Sequence, residues 1–449
     1  MIFNDTSKKI HIAGIGGVSM SALAEALNYK GFVVTGSDMN DGEHIERLRR
    51  IGIKISVGHR AENVDDADLV IRTAAIHDDN PEIAAALAKN IPVFERAQAW
   101  GEIMRDYKNA LCISGTHGKT STTSMCTYIA LEACLDPQVM VGANLAKIGG
   151  NLRLATSDLF IAEACEYCDS FLSFVPTIAV VLNVEEDHLD YFPNIEAIIK
   201  SFRTFCELVP EDGCVIYNAD DDNTCKAVEG IDRKTLSFGI DNGELRAKRI
   251  KEGEEGTSFT LFRDNEELVE INLAVHGKHN VYNALAAIAS ALVLGVSPKC
   301  IATGLSKYDG VSRRFELKGK YNDALIYDDY AHHPSEVRAT LESVKSMGFK
   351  RIICAFQPHT FTRTRDLAEE FAKTLSIADV VYVADVFPAR EKPIEGVNSE
   401  LISSKIDGAG NLHSMEEIAE DIKRIASSGD IVLVMGAGDI TKLSKMLCE

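Results

Sequence analysis

Residues 110–125 read ALCISGTHGKTSTTSM, and this stretch decides the fold. An apolar run of strand-forming residues, Leu111 to Ile113, leads into GTHGKTS at 115–121, and a helical pattern follows through Leu131. Glycines let successive backbone N–H groups turn toward one point, and the following helix adds the positive end of its dipole. The stretch therefore predicts a strand, a phosphate-binding loop and a helix in a parallel α/β sheet.

The loop is shorter than the general phosphate-binding loop, which has four residues between its first glycine and Gly-Lys-Ser/Thr. Lys119 would place a positive charge near the outer phosphates of a nucleotide, and a hydroxyl of Thr120 or Ser121 could ligate magnesium. The alternative is an ordinary glycine turn, but the position between a buried strand and a helix favours phosphate binding. The predicted phosphate-binding residues are Gly115, Thr116, His117, Gly118, Lys119, Thr120 and Ser121.

Composition excludes several classes of function. The chain has 449 residues with 46% hydrophobic content, and 47 basic against 67 acidic residues give a net charge of −20. Without a basic block, neither nucleic acid nor an anionic membrane is an expected partner. The N-terminus does not resemble a signal peptide, and no apolar stretch approaches the ~18–20 residues that span a bilayer. We expect a cytoplasmic protein of two or three domains, and its oligomeric state is left open by the sequence.

The first domain, residues 1–108, begins with the pattern of a doubly wound α/β unit. A strand at 9–15 runs into the glycine turn Gly14 to Ser19, and a second strand ends at Ser37-Asp38. Ser19 stands where a G-x-G-x-x-G dinucleotide turn has its third glycine, which argues against nicotinamide binding. A ligand with a phosphorylated ribose fits the same geometry, and a nicotinamide-dependent oxidoreductase is the alternative.

Polar residues follow the strands of the central domain, residues 109–316. Glu163 ends the buried run at 159–163, and the sequence EEDHLD, which contains His188, follows the strand at 178–184. Ligands of open α/β sheets gather at these carboxyl ends, and a carboxylate there needs a cation or hydrogen-bond donors. Both residues are magnesium candidates, with a salt-bridged acid and a solvated loop as the alternatives. Turn signals from Cys214 to Val275 predict antiparallel hairpins.

The end of the central domain carries further polar residues. Asn280 and Asn283 lie near the start of an alanine-rich helix, where they would either cap the helix or contact a base or ribose. Arg314, in a predicted hinge at 307–319, would either reach a phosphate or be solvated.

The third domain, residues 317–449, alternates strands and helices again and predicts a separate doubly wound sheet. Histidines and arginines follow its strand ends, and arginines of this kind suit carboxylates or phosphates. The residues concerned include Asp328, Asp329, Tyr330, His332, His333, Gln357, His359, Arg363 and Arg365.

Three α/β units, one with a triphosphate cradle, suit an ATP-dependent ligation. A carboxylate cannot be attacked usefully by an amine because its leaving group would be oxide. Transfer of a γ-phosphoryl group makes an acyl phosphate, and the amine then displaces phosphate. The protein mainly positions the reactants and neutralises charge.

Several motifs, in this order, resemble those of the Mur ligases of bacterial peptidoglycan synthesis over nearly the whole chain. The motifs are GIGGVSMS, GTHGKTSTT, EACEYCDSFL, NVEEDHLD, HGKHNVYNALAA, GVSRRFE, DDYAHHPSEV, FQPHTFTRTRDL and VMGAGDI. The resemblance implies three α/β domains and a reaction that joins L-alanine to the lactyl carboxylate of UDP-N-acetylmuramate, with ATP and Mg²⁺.

The resemblance also implies residue roles. Lys119, Glu163, His188 and His332 would be catalytic. ATP would contact residues 115–121 together with His279, Asn280, Asn283, Arg314 and Asp329, and Mg²⁺ would be held by Thr120, Glu163 and His188. The uridine nucleotide would contact Gly16, Gly17, Ser37, Asp38 and Thr73. The amino acid would contact Tyr330, His332, His359 and Arg363.

Two departures and several alternatives accompany this resemblance. Thr360 replaces an arginine that some relatives carry, and Arg203 stands at the spacing of a carbamoylated lysine used by sister ligases. His188 and His332 are both candidate general bases. A murein peptide-recycling ligase and a non-catalytic nucleotide-controlled scaffold are the alternatives within and outside the family.

Overall fold

A computed structural model of the chain describes residue 3 and residues 5–73, 75–189, 191–253, 256–389, 391–409 and 414–448. These residues form two compact units. The first comprises Met1–Arg246, Phe262–Glu266 and Ala284–Gly304, and the second comprises Ala247–Leu261, Glu267–Asn283 and Leu305–Glu449. No helix in the described part of the chain has the length and apolar character needed to cross a membrane.

The N-terminal sheet is doubly wound, as predicted. Its strands are β1 (Lys9–Ala13), β2 (Val33–Asp38), β3 (Lys54–Val57), β4 (Leu69–Arg72) and β5 (Val93–Glu95). Its helices are α1 (Val18–Tyr29), α2 (Glu43–Arg50), α3 (Pro81–Ala88) and α4 (Arg96–Met104). The strand order is β3-β2-β1-β4-β5, with every pair parallel. The order reverses next to β1, which places the glycine turn after β1 at the position where ligands of such sheets bind.

The central sheet surrounds the predicted phosphate loop. Its strands are β6 (Asn109–Ser114), β7 (Gln138–Leu145), β8 (Gly150–Arg153), β9 (Leu159–Glu163), β10 (Ile178–Val181), β11 (Cys214–Asn218), β12 (Lys234–Gly239), β13 (Leu245–Gly253), β14 (Gly256–Arg263) and β15 (Glu266–Leu273). The accompanying helices are α5 (Lys119–Glu132), α6 (Ile195–Glu207), α7 (Asp222–Val228), α8 (Lys278–Val293) and α9 (Pro298–Ser306). The strand order is β15-β14-β13-β12-β11-β10-β6-β9-β7-β8.

The prediction of antiparallel hairpins from Cys214 onward is wrong for β11 and β12. Strand β11 pairs in parallel with β10, and β12 pairs in parallel with β11. Helix α7 lies between these two strands in the chain, and a crossover of this kind is what parallel neighbours need. On the other side of the sheet, β7 and β8 pair antiparallel.

The third sheet is mostly parallel and again doubly wound. Its strands are β16 (Glu316–Tyr321), β17 (Ala324–Asp329), β18 (Arg351–Phe356), β19 (Val380–Val383) and β20 (Asp430–Met435). The helices are α10 (Pro334–Ser346), α11 (Phe361–Asp366), α12 (Ala368–Leu375), α13 (Glu400–Ser403), α14 (Met415–Ile425) and α15 (Thr441–Cys448). The order is β16-β17-β20-β18-β19, and only the edge strand β16 pairs antiparallel among the described pairs.

Helix α5 is buried although it is rich in serine and threonine. Its residues from Thr120 to Ala130 are all buried. Two of its hydroxyls form hydrogen bonds with the preceding turn, since Ser124 donates to the Thr120 carbonyl at 2.7 Å and Thr127 donates to the Thr123 carbonyl at 2.8 Å. Short side chains of this kind let the helix that follows the loop lie deep in the domain.

A buried carboxylate, Glu82, organises the N-terminal sheet. Its side chain is 0% exposed. It accepts hydrogen bonds from the Ser37 hydroxyl at 2.6 Å and from the Asn63 amide at 2.5 Å. The Nδ1 atom of His59 lies 2.9 Å away, and Nε2 of His11 lies at 3.6 Å. Burial alone would raise the pKa of Glu82, but the neighbouring His11, Asn63 and Ser37 side chains outweigh it and lower the pKa to about 2.

We expect Glu82→Gln to lower the free energy of unfolding at pH 7 by about 1–3 kcal/mol, because an amide cannot accept all of these hydrogen bonds. The folded-state pKa lies below the ordinary value of 4.5, so the stabilisation is complete above that pH and is lost as the pH falls toward about 2. The difference between wild type and variant in urea unfolding should therefore shrink by about 1 kcal/mol at pH 4. Glu62→Gln, at an exposed neighbouring position, is the control. A difference independent of pH would contradict this account.

Candidate functional site

The loop between β6 and α5 has the geometry of an anion cradle. Gly118 precedes α5 with a φ of 83°, and Gly115 has a φ of 143°. A Cβ on Gly115 would lie 2.8 Å from the Cβ of Leu182, so the loop packs against the end of β10. The N-cap residue of α5 is Gly118, which has no side chain to cap the first turn. The first backbone N–H groups of this helix are therefore available to a phosphate.

Asn183, two residues after the end of β10, fixes the loop. Its side-chain oxygen accepts from the His117 N–H at 2.7 Å, and its amide group donates to the His117 carbonyl at 3.2 Å. The Asn183 carbonyl accepts from the Thr116 N–H at 3.1 Å. Sequence reasoning missed this residue, although it is the first strongly polar side chain after a buried strand.

Lys119 is held by a buried glutamate that sequence reasoning also missed. Its ammonium group donates to Glu166 at 2.8 and 3.0 Å, to the Thr116 carbonyl at 3.0 Å, and to the Gly115 carbonyl. The Glu166 side chain is 3% exposed. Burial opposes the charge of Lys119, but the Glu166 carboxylate outweighs burial and raises the pKa of Lys119. The signal for Glu166 was a second acid three residues after Glu163 in the motif EACEYCDSFL.

Thr120 and Glu163 lie together, as the predicted metal site requires. The Thr120 hydroxyl donates to Glu163 at 3.1 Å, and the Gly142 N–H donates to the other carboxylate oxygen at 2.8 Å. A Cβ on Gly142 would lie 2.8 Å from both of those oxygens, so the glycine in β7 makes room for the carboxylate. Hydroxyl and carboxylate oxygens are the ligands that Mg²⁺ prefers, and the pair fits this ion.

His188 lies close to Glu166, the glutamate that pairs with Lys119. Its Nε2 atom is 3.7 Å from Glu166 and 3.9 Å from Asp187. Its backbone has a φ of 55°, and its ring packs 4.6 Å from that of Tyr167. The structure thus brings His188 to the phosphate loop through Glu166. Asp190 of the same motif lies outside the described residues.

The departure at Arg203 also has a structural account. Its guanidinium lies 3.2 Å from Glu207 and donates to the Glu229 carbonyl at 2.8 Å. The side chain is therefore occupied within α6 and at the end of α7.

The predicted uridine-nucleotide residues surround the glycine turn after β1. The Gly16 N–H donates to Asp38 at 2.9 Å, and the Ser37 carbonyl accepts from the Gly14 N–H at 2.8 Å. A Cβ on Gly14 would lie 2.8 Å from the Thr73 methyl group. The Ser37 side chain is buried on Glu82, so its hydroxyl fixes the end of β2. The residues gathered here are Gly16, Gly17, Ser37, Asp38 and Thr73.

In the second unit, Asp329 is buried at the end of β17. It is 6% exposed and accepts from the N–H groups of Phe315 at 2.8 Å and Ala331 at 2.7 Å. Burial raises the pKa of Asp329 to about 6, although the Arg314 charge works in the opposite direction. Arg314 also lies 5.1 Å from the centre of the Tyr330 ring, so these predicted ligand-binding residues are neighbours.

The four predicted amino-acid-binding residues also form one cluster. The rings of Tyr330 and His332 lie 5.4 Å apart, and those of His332 and His359 lie 5.7 Å apart. Arg363 Nη1 is 3.4 Å from His359 Nδ1. Thr360 has a φ of 70°, and its hydroxyl accepts from the Arg363 N–H at 3.4 Å at the start of α11. Thr360 therefore orients the helix that carries Arg363.

The first turns of α8 carry the remaining predicted ATP residues. The Asn280 amide donates to the His276 carbonyl at 2.8 Å, and the Asn283 amide donates to Asn280 at 3.2 Å. His279 precedes them, and its Nε2 lies 3.1 Å from the Asn280 amide. These contacts support the interpretation that the two asparagines stabilise the start of the helix. Contact with a base or ribose remains a prediction.

Comparisons with known proteins find similarity along nearly the whole chain. Family models match as the Mur ligase family catalytic domain at residues 9–108, the Mur ligase middle domain at 113–291 and the Mur ligase glutamate ligase domain at 313–438. The UDP-N-acetylmuramate--L-alanine ligase of Clostridium acetobutylicum is 47% identical over 448 residues, which cover 99% of this chain and 98% of that protein. The ligase of the same name from Acetivibrio thermocellus is 46% identical, with 98% and 96% covered.

Solved structures show the same similarity. The UDP-N-acetylmuramate-alanine ligase of Thermotoga maritima aligns with a TM-score of 0.80 at 29% identity, covering 98% of both chains. A murein peptide ligase from Psychrobacter arcticus aligns with a TM-score of 0.71 at 26% identity, again covering 98% of both chains. With three family models matched in order and relatives above 40% identity over nearly the full length, the chain belongs to the Mur ligase family.

Proposed function

We propose that this protein is an ATP-dependent ligase that joins L-alanine to the lactyl carboxylate of UDP-N-acetylmuramate in peptidoglycan synthesis, releasing ADP and phosphate. The observation that carries the proposal is the nearly full-length similarity, at 46–47% identity, to relatives that bear this ligase name. The phosphate cradle and the polar clusters described above support the proposal, because they would supply the chemistry that such a reaction needs.

The first step is phosphoryl transfer to the carboxylate. A carboxylate oxygen of UDP-N-acetylmuramate attacks the γ-phosphorus of ATP, the bond to ADP breaks, and an acyl phosphate forms. The open N–H groups at the start of α5 would hold the phosphates, and Lys119 would neutralise charge on the transferred group. Thr120, Glu163 and His188 would hold Mg²⁺, which when bound supplies further positive charge against the phosphate oxygens.

The second step is attack by the amine of L-alanine. Its nitrogen forms a bond with the acyl carbon, phosphate leaves, and a proton leaves the nitrogen. We propose that the Tyr330, His332, His359 and Arg363 cluster holds the amino acid, with Arg363 on its carboxylate, because a guanidinium suits that group. His332 and His188 are the two candidates for accepting the proton.

Phosphate release tests the reaction directly. With ATP, Mg²⁺ and UDP-N-acetylmuramate, we expect release on addition of L-alanine. Glycine, other amino acids and a preformed tripeptide are the parallel acceptors. Release with the tripeptide alone would assign the chain to peptide recycling, and no release with any acceptor would contradict a ligase.

The Lys119–Glu166 pair allows chemistry to be separated from stability. Lys119→Met should lower the rate by about 100- to 1,000-fold and should also cost about 3–5 kcal/mol of stability, because Glu166 is then left buried without a counter-charge. In Lys119→Met/Glu166→Gln, thermal stability should largely recover while the rate stays low. Lys108→Met, at an exposed lysine before β6, is the control. Recovery of the rate in the double variant would overturn the role of Lys119.

Asp329 predicts a pH dependence. Its carboxyl group is neutral below a pKa of about 6, so kcat/KM for ATP should rise through this pH if the ionised form contacts the ribose. The contribution of this group to stability has the opposite sign, because a folded-state pKa above 3.8 favours the folded state less as the pH rises from 3.8 to about 6. Asp329→Asn should remove the rise in kcat/KM, and the exposed Asp323→Asn should keep it. An unchanged profile in Asp329→Asn would contradict the assignment.

A further inference from the structure

Arg96 reaches the glycine turn of the first sheet from a distant part of the chain. It is the first residue of α4, and its guanidinium donates to the Ser19 hydroxyl at 2.6 Å, across 77 residues of sequence. Ser19 lies in the first turn of α1, at the position where a dinucleotide-binding turn has its third glycine. Ser19, which takes the place of the third glycine of a nicotinamide-binding turn, therefore holds the side chain of a cation, Arg96.

The charge of Arg96 is not neutralised within the described residues. No carboxylate oxygen among those residues lies within 4.0 Å of this half-buried guanidinium, which is the longest distance of an ion pair. The neighbouring Arg72, at the end of β4, shows the contrast, because it contacts Asp78 at 2.5 Å and Glu95 at 3.6 Å. The charge of Arg72 is thus neutralised within the fold, whereas the charge of Arg96 remains available to another anion.

The position of Arg96 also works against the helix that contains it. A cation at the first position of a helix faces the positive end of the helix dipole, at a cost of about 0.3–1 kcal/mol. Helix α4 does not need Arg96 for capping, because Glu95 and Gln98 form a capping box. A residue that is unfavourable for its own helix, and that brings no local gain in stability, indicates a functional role.

The turn itself needs a positive charge to bind an anion. Asp38 accepts the Gly16 N–H at 2.9 Å and places a carboxylate beside the turn. This negative charge opposes a phosphate, and Arg96 supplies the charge that offsets it. A guanidinium presents several N–H donors in one plane and suits phosphate oxygens.

We propose that Arg96, oriented by Ser19, binds the diphosphate of the nucleotide sugar. The inference rests on the proposed function, because it takes the nucleotide sugar as the ligand of the glycine turn. In this arrangement Arg96 contacts the phosphates, whereas other groups contact uracil or ribose. Ser19 is a positioning residue in this arrangement.

Binding of UDP and of uridine to the full-length protein separates phosphate recognition from the rest of the site. Calorimetry would measure UDP, and ligand-observed NMR would measure uridine. We expect Arg96→Met to weaken UDP binding by about 10- to 100-fold, the range of hydrogen bonds to charged groups, with uridine binding unchanged within about twofold. Arg96→Lys should retain part of the affinity for UDP, and Ser19→Ala should lose less than Arg96→Met.

Arg105→Met is the matched control, because Arg105 follows the same helix and forms an exposed ion pair with Glu102 at 2.9 Å. In turnover, Arg96→Met should raise KM for UDP-N-acetylmuramate with kcat and KM for ATP largely unchanged. Equal losses for UDP and uridine, or no loss for UDP, would overturn the role of Arg96. If the wild-type protein turns over UDP-N-acetylmuramate while Arg96→Met binds UDP normally, the role of Arg96 is wrong and the proposed function stands. Wild-type protein that binds no uridine nucleotide would remove the proposed function with it.

Discussion

The phosphate loop depends on one buried ion pair, between Lys119 and Glu166. Two charges at the end of a parallel sheet would be costly separately, and together they satisfy one another and the carbonyls of the loop. The pair keeps Lys119 charged beside the open N–H groups of α5. Asn183 and the two glycines then set the path of the backbone around it. The geometry of the phosphate loop thus depends first on the compensation of buried charge and second on the backbone conformation of the loop.

The same constraint recurs away from the loop. Glu82, in α3, is buried among hydrogen-bond donors and joins Ser37 at the end of β2 to His59 after β3. Asp329 is buried on two backbone N–H groups, and its pKa rises because those groups and Arg314 only partly offset burial. Burial raises the pKa of both acids, but their net pKa shifts have opposite signs because the donors around them differ in number and type.

Much of the fold could be predicted because its signals are local. The alternation of short apolar runs with helical patterns gave the three sheets, and the glycines at 115 and 118 marked the phosphate loop. The error at β11 and β12 arose because short strands with turn signals are typical of hairpins, whereas helix α7 between them is only seven residues long. A helix that short has little periodicity from which to be recognised.

The sequence by itself determined which side chains stand at the carboxyl ends of strands, because strand and turn propensities act over a few residues. It placed Thr120 and Glu163 at one edge of a sheet, where the structure has them 3.1 Å apart. Only the tertiary structure decided the partners of the charged groups. Lys119 meets Glu166 across 47 residues, the Ser37 hydroxyl meets Glu82 across 45, and Arg96 meets Ser19 across 77. Such pairs depend on how neighbouring elements direct their side chains into shared space, and no pattern within either segment encodes that choice.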